Sequence, residues 1–184
     1  NFGTGDFCVE AWVYGTNLAA MTYGNIFNTG SGGFALLGLN GVIQAGRYQF
    51  SGFCQADVAI PEGQWTHVVF TRVSAVCRIF YNGVLRGYTA SNTNSFTNTS
   101  FVIGGDSSFN TWWIGNITNL RITTGSIPSA YSTSATALGT GVFTPPVALL
   151  ENIANCQLCL DAVSSDSLYF LTDFSNNNLT ITNT

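Results

Sequence analysis

The sequence predicts an all-β protein, an antiparallel two-sheet β-sandwich of jelly-roll type. Three observations predict it. Apolar runs rich in Val, Ile, Phe, Tyr and Trp recur between turn clusters of Gly, Asn and Pro, at intervals of about ten residues. Asn-Gly stands between two such runs at Asn40-Gly41 and again at Asn82-Gly83. This is the strongest short-range hairpin signal, because a type I′ turn needs φ > 0 at both central residues. Finally, the residues that coat long helices are scarce. Only 8% of positions are charged, and the five basic residues are all Arg.

The elements follow in order. Phe7 to Tyr14 carries Phe7, Val9, Ala11 and Val13 on one face and Cys8, Trp12 and Tyr14 on the other. A strand apolar on both faces is covered on both. Glu10 interrupts it and must find a partner or reach water. Tyr23 to Asn28 is a short strand. Phe34 to Leu39 and Val42 to Phe50 form the first Asn-Gly hairpin, and Phe53 to Ile60 ends at Pro61-Glu62-Gly63. Trp65 to Arg72 leads into the second hairpin. There Tyr81 is expected opposite Val84, Phe80 opposite Leu85, Ile79 opposite Arg86 and Cys77 opposite Tyr88. This register sends Phe80 and Leu85 into the two-layer interior, with Tyr81, Arg86 and Tyr88 on the other face.

Ser91 to Thr99 is a polar loop, expected to be mobile. Phe101 to Ile103 and Trp113 to Thr123 are strands, the latter losing its alternation between Ile117 and Leu120, which predicts a bulge. Residues 126–148 form a Ser/Thr/Pro-rich connection with a helical turn near Ser129 to Ala137, extended at Pro145-Pro146. Short strands follow at Val147 to Leu150, Cys156 to Leu160, Leu168 to Leu171 and Asn178 to Ile181. The expected organisation is a jelly-roll core at 1–125, the connection at 126–148, and additional strands at 149–184 that close the same sheet or pair with a neighbouring copy.

A net charge of -4 with no Lys argues against nucleic acid, which needs clustered cations to neutralise phosphates. No apolar run approaches the roughly 20 residues of a membrane-spanning helix. The start at Asn1-Phe2-Gly3 reads as a piece of something longer. Five cysteines is an odd count, and Cys8 and Cys77 fall mid-strand, where Cys acts as a small hydrophobe. Most are therefore read as reduced. Cys156 and Cys159 have metal-ligand spacing but lack a second pair, and the single His67 is distant in sequence.

DFCVEAW, QWTHVVFTR, FYNGV, FVIGG and IGNITNLRIT, in that order, resemble the laminin G-like, concanavalin A-like lectin/glucanase superfamily over about Phe2 to Thr124. LRITTGSIPSAYSTS followed by VFTPP resembles the versions found in phage virion proteins, notably those of cyanophages. The resemblance implies two antiparallel sheets, one concave, and a role in adhesion, glycan binding or particle decoration. Residues 149–184 are similar to the start of the family pattern, as though the chain were phase-shifted by part of a repeat.

Glycoside hydrolysis needs two carboxylates about 5 to 10 Å apart. No strand carries such a pair: Glu10 is alone and Glu62 lies in a turn. His67 has no nucleophile signature beside it and reads as structural. Calcium, common in the family, would use Asp106, but Thr118 and Asn119 stand where the family has acids, and calcium wants several anionic oxygens. Trp112 and Trp113, with Tyr48, Tyr81, Tyr88 and Arg86, form the candidate contact set. Three readings stay open for them: core, contact with another subunit, or a platform for sugar rings. The sequence thus points to a non-enzymatic structural and adhesion module on a phage particle surface, as capsid decoration or tail fibre, contacting other virion subunits or copies of itself and host glycans. The alternatives are a glycan-binding lectin domain of a secreted or cell-surface protein, and a glycoside hydrolase. No cofactor is expected unless calcium binds.

Overall fold

The computed structural model describes residues 2–47, 52–98, 100–105 and 111–146, and the backbone of 156–165 and 168–173. Its strands are β1 (Phe7–Gly15), β2 (Gly24–Asn28), β3 (Phe34–Leu39), β4 (Val42–Arg47), β5 (Gly52–Ala59), β6 (Trp65–Val73), β7 (Val76–Tyr81), β8 (Val84–Thr89), β9 (Val102–Ile103), β10 (Gly115–Thr124), β11 (Cys156–Ser165) and β12 (Leu168–Asp173). They form two antiparallel sheets, β12-β11-β10-β1-β6-β7-β8 and β5-β4-β3-β2-β9. Among the described residues helix is limited to two 3-10 turns, Leu18–Ala20 and Ser129–Tyr131. The expected sandwich is therefore the observed one. The strands expected at Val147 to Leu150 and Asn178 to Ile181 lie outside the described residues.

The turns do what their residues require. Asn40 and Gly41 have φ of 49° and 79°, Asn82 and Gly83 of 48° and 80°, the left-handed pair a type I′ hairpin demands. Ser74 and Ala75 make the same turn between β6 and β7 at 49° and 66° without a glycine. The bulge in β10 is at Asn119, φ 52°, where the pairing with β1 slips between Glu10↔Arg121 and Trp12↔Thr118. At the other side β8 crosses close to β5: a Cβ on Gly87 would lie 2.7 Å from the Gln55 carbonyl oxygen, so only glycine lets the two sheet edges meet.

Between the sheets lies an apolar layer built from Phe7, Val9, Ala11 and Val13 of β1, Ile26 and Phe27 of β2, Phe34 and Leu36 of β3, Phe70, and Cys77, Ile79 and Tyr81 of β7. The β7–β8 register corrects the expectation. Phe80 does pair with Leu85 and Tyr81 with Val84, but a bulge follows, so that Ile79 pairs with Gly87, Arg78 with Tyr88 and Cys77 with Thr89. Phe80 and Leu85 are fully buried, yet they point away from the second sheet. With Cys8, Val69 and Tyr131 they form a separate core, packed against Ile127, Ala135, Val142 and Phe143. Tyr81, expected outside, is inside. The expectation failed because both faces of this hairpin are apolar, so alternation alone could not say which face meets the other sheet.

The covering layer of the outer core is the Ser/Thr/Pro-rich connection. The Leu85 N–H donates to the Thr140 carbonyl at 2.8 Å, Gly139 N–H to Leu85 at 2.8 Å, and Val142 N–H to Gly83 at 2.8 Å. Arg78 Nε donates to the Ala135 carbonyl at 2.8 Å. The connection is thus a strap laid over the sheet.

The loop expected to be mobile is tied down. Phe96 is fully buried and exchanges backbone hydrogen bonds with Gly3 at 2.8 and 3.0 Å. The buried Arg72 side chain donates to the carbonyls of Gly3, Gly5 and Asn94, and its guanidinium lies 4.7 and 5.2 Å from the ring centres of Phe7 and Phe96. A buried guanidinium needs many acceptors, and here the backbone of this loop and of the N-terminal arm supplies them.

Candidate functional site

The described members of the sequence-predicted contact set do not come together. Tyr81 is buried between the sheets, its hydroxyl accepting the Ile43 N–H at 2.9 Å, and burial pushes its ionisation well above the ordinary tyrosine range. Trp113 is buried with its indole N–H on the Tyr14 carbonyl at 3.1 Å. Tyr88 lies under the Arg78 guanidinium, 5.6 Å away, on the strap side. Arg86, displaced by the bulge, reaches Asp57 of β5 at 3.8 Å. Tyr48 and the calcium candidate Asp106 lie outside the described residues. Of the described members of the set, Trp112 presents the broad surface, 51% exposed. A Cβ on Gly105 would strike its ring at 2.2 Å, so Gly105 lets the indole lie flat on the backbone.

The titratable residues fare differently. Glu10 is fully buried on the outer face of β1, and its carboxylate is satisfied from three elements. Arg121 of β10 donates from Nε and Nη2 to Oε1, while His67 of β6 (Nε2, 3.1 Å) and the Tyr131 hydroxyl of the strap donate to Oε2. Burial, then the neighbouring carboxylate, raises the Tyr131 phenol far above its ordinary value. Burial works against the Arg121 cation, but Glu10 overrides it and holds the guanidinium above its usual range. His67 Nδ1 is buried with no hydrogen-bond partner among the described residues. The His67 ring packs on Trp12 at 5.2 Å. Glu10 and His67 of this network are fully buried, and Arg121 and Tyr131 nearly so. The other described carboxylates are likewise engaged: Asp6 accepts the Ser74 N–H at 2.8 Å, Glu62 the Leu18 N–H at 2.9 Å, and Asp57 pairs with Arg86. The described residues therefore hold no pair of carboxylates flanking a cleft, which glycoside hydrolysis requires. They also hold no cluster of three or more His, Cys, Asp or Glu able to bind a metal. Cys8, Cys54 and Cys77 are free thiols; burial pushes Cys54 up to about 11 and Cys77 up to about 12, so none is a reactive thiolate. For Cys156 and Cys159 only the backbone is described.

The sequence reading missed the outer face of the five-stranded sheet. Pairing aligns Asn25, Leu37, Gln44 and Gln55 in one row across β2, β3, β4 and β5. The next row is Asn28, Ala35, Gly46 and Gly52. Four amides thus belong to one face, Asn25 and Asn28 fully buried, Gln44 half-buried and Gln55 exposed. Asn25 Nδ2 donates to Thr111 Oγ1 at 2.6 Å, tying this face to the segment that carries Trp112. Asn25 Oδ1 and Asn28 Nδ2 are buried without a partner among the described residues. Such atoms are rare in folded proteins and invite a water or a ligand. A bulge at Ile26 hides this row in the sequence, because it turns both Ile26 and Phe27 inward and resets the alternation.

The antiparallel two-sheet sandwich, with amides on one sheet face and no paired acids among the described residues, is a lectin-like fold. A family model described as the concanavalin A-like lectin/glucanases superfamily matches residues 1–130, and the chain belongs to that family. Among solved structures it is similar to a putative carbohydrate binding protein from Bacteroides ovatus (TM-score 0.63, 14% identity, 93% of this chain and 50% of that one). It is also similar to domain 4 of AbnA, a GH43 extracellular arabinanase from Geobacillus stearothermophilus solved with arabinotriose (TM-score 0.54, 23% identity, 70% and 64%). A third is the heptameric SAP-like pentraxin from Limulus polyphemus (TM-score 0.51, 14% identity, 96% and 86%). The chain thus spans half to two thirds of the first two. No curated protein sequence matches it.

Proposed function

We propose that this chain is a non-enzymatic carbohydrate-binding and adhesion module, borne on the outer surface of a phage particle as capsid decoration or tail fibre, where it contacts host-surface glycans. The observation that carries the glycan reading is the pair of accessible amides Gln44 and Gln55 on the outer sheet face, in one row with the buried Asn25, whose bond to Thr111 anchors the segment carrying the exposed Trp112. Aromatic faces stack on the C–H faces of sugar rings, and amides both donate to and accept from their hydroxyls. Two of the similar structures support it, one named for carbohydrate binding and one solved with arabinotriose. The particle location rests on the resemblance of residues 120–146 to virion proteins. Its partners would be other subunits or copies of itself, and β12, outermost of the described strands in its sheet, offers an edge for pairing. The alternative is the same glycan-binding role in a secreted or cell-surface protein.

The test is native electrophoresis of the chain through gels holding arabinan, xylan or β-glucan. Retardation is expected, weakened about ten-fold by Trp112→Ala, the size of one lost aromatic contact, and unchanged by EDTA, since we assign no cofactor. Unretarded migration on every polysaccharide overturns the glycan reading; loss on EDTA revives calcium. Mass spectrometry of gradient-purified particles decides location: absence of this chain from them favours the secreted alternative.

A further inference from the structure

We propose a second carbohydrate-contact site on the opposite side of the sandwich, built from Trp65, Tyr14 and Asn116 and chemically suited to a neutral sugar unit. It rests on the reading of the chain as a glycan binder and adds a face that reading does not use.

The strap covers only part of the outer face of the seven-stranded sheet. It lies over Glu10, His67, Phe80 and Leu85. Beyond His67 no described residue of the strap is recorded over the same face, and its side chains come to the surface. Tyr14 pairs with Trp65 on one side and with Asn116 on the other, so the three side chains stand in one row. Trp65 is 46% exposed, Tyr14 is half-buried and Asn116 is exposed. The rings of Tyr14 and Trp65 lie 5.6 Å apart at 57°, which makes an open corner rather than a closed stack. The Tyr14 hydroxyl reaches over Gly63, where φ is 72° and no side chain intrudes. The row behind it is Thr118 and Trp12, then His67.

The chemistry of the corner selects the occupant. Among the described residues neither row holds an acid, a Lys or an Arg, and Glu62 in the turn before Trp65 is engaged by the Leu18 N–H. The described residues of the corner offer a phosphate or an acidic peptide no cation. The Tyr14 hydroxyl, the Trp65 indole N–H and the Asn116 amide make no hydrogen bond to the described residues. An indole face for the C–H side of a ring, with three uncharged hydrogen-bonding groups around it, is complementary to a sugar's alternation of C–H and hydroxyl. Two sites on opposite faces would let one module bridge two glycan chains and gain by avidity.

The experiment uses the same gels with Trp65→Ala, Trp65→Phe, Trp112→Ala and the Trp65/Trp112 double alanine variant. Melting temperatures confirm folding, and Trp65→Phe keeps a ring in the corner. The expected result is about ten-fold weaker retardation for Trp65→Ala, an intermediate value for Trp65→Phe, and a larger loss in the double variant than in either single one. If Trp65→Ala matches wild type while Trp112→Ala is lost, the second site is overturned and the first stands. If Trp65→Ala is lost while Trp112→Ala is unaffected, the second site stands and the first falls. If Trp65→Ala instead lowers the sedimentation coefficient of the sugar-free protein and leaves retardation unchanged, the face is a subunit contact and the proposal fails.

Discussion

Arg121 and Glu10 face each other across β10 and β1, and two guanidinium nitrogens, Nε at 2.6 Å and Nη2 at 2.5 Å, close on one carboxylate oxygen. The second oxygen is left for His67 and Tyr131. Removing one member of a buried pair strands the other's charge, which costs roughly 3 to 5 kcal/mol. Arg121→Leu and Glu10→Leu are each expected to lower stability by that order in urea melts. The double variant is expected to recover part of the loss, because no uncompensated charge remains. Additive losses would mean that the pair contributes no coupling.

The two cores are separable by mutation. Leu85→Ala removes a fully buried side chain from beneath the strap, and a loss of about 2 to 5 kcal/mol is expected. Protease cleavage within 126–146 should accelerate with it. Ile79→Val, in the layer between the sheets, should cost about 0.5 to 1.5 kcal/mol and leave that cleavage unchanged. Equal acceleration in both variants would mean that the strap does not rest on Leu85 specifically.

Gly83 is the point where strap and hairpin meet. Its φ is 80°, and a Cβ there would lie 1.8 Å from the Phe143 carbonyl oxygen. Gly83→Ala therefore combines strained backbone, about 1 kcal/mol or more, with a clash that lifts the strap. Faster amide exchange is expected at Val142 and Phe143, whose N–H groups donate to the Gly83 carbonyl.

Alkali should unfold this protein earlier than its charge suggests. Burial raises the ionisation of Cys54 to about 11 and of Cys77 to about 12, and lifts Tyr81 and Tyr131 well above the ordinary tyrosine value. These groups stay protonated when folded, whereas the unfolded chain gives up its thiol protons near 9 and its phenol protons near 10. The unfolded state thus binds fewer protons, and stability is full below about pH 9 and falls as pH climbs toward 12. Thermal melts should show that decline. Absorbance at the phenolate band should show Tyr81 and Tyr131 silent until unfolding. Early titration of all tyrosines in the folded state would contradict their burial.

The strands, both Asn-Gly hairpins and the β10 bulge were legible because each has a local cause: β-branched and aromatic runs, residues that tolerate positive φ, and a broken alternation. The side on which each apolar face of β7 and β8 lies was not legible. Phe80 and Tyr81 are adjacent, both aromatic and both buried, one against the strap and one against the other sheet. The candidate site was least legible of all. Trp112 and Trp113 look alike in sequence, yet one is broadly exposed and the other holds the Tyr14 carbonyl in the interior.

By itself the sequence determined the class of fold, the hairpin corners, the isolation of Glu10 from any second acid along its strand, and the family. Those properties depend on neighbours along the chain, where propensity and turn chemistry act. The tertiary structure decided that Glu10 would be hydrogen-bonded from three separate elements, that a Ser/Thr-rich connection would serve as a core-covering strap, and that amides from three strands would share one face. Those depend on pairing register and on which layer packs where. Such terms join residues up to 121 positions apart, so no local pattern can encode them.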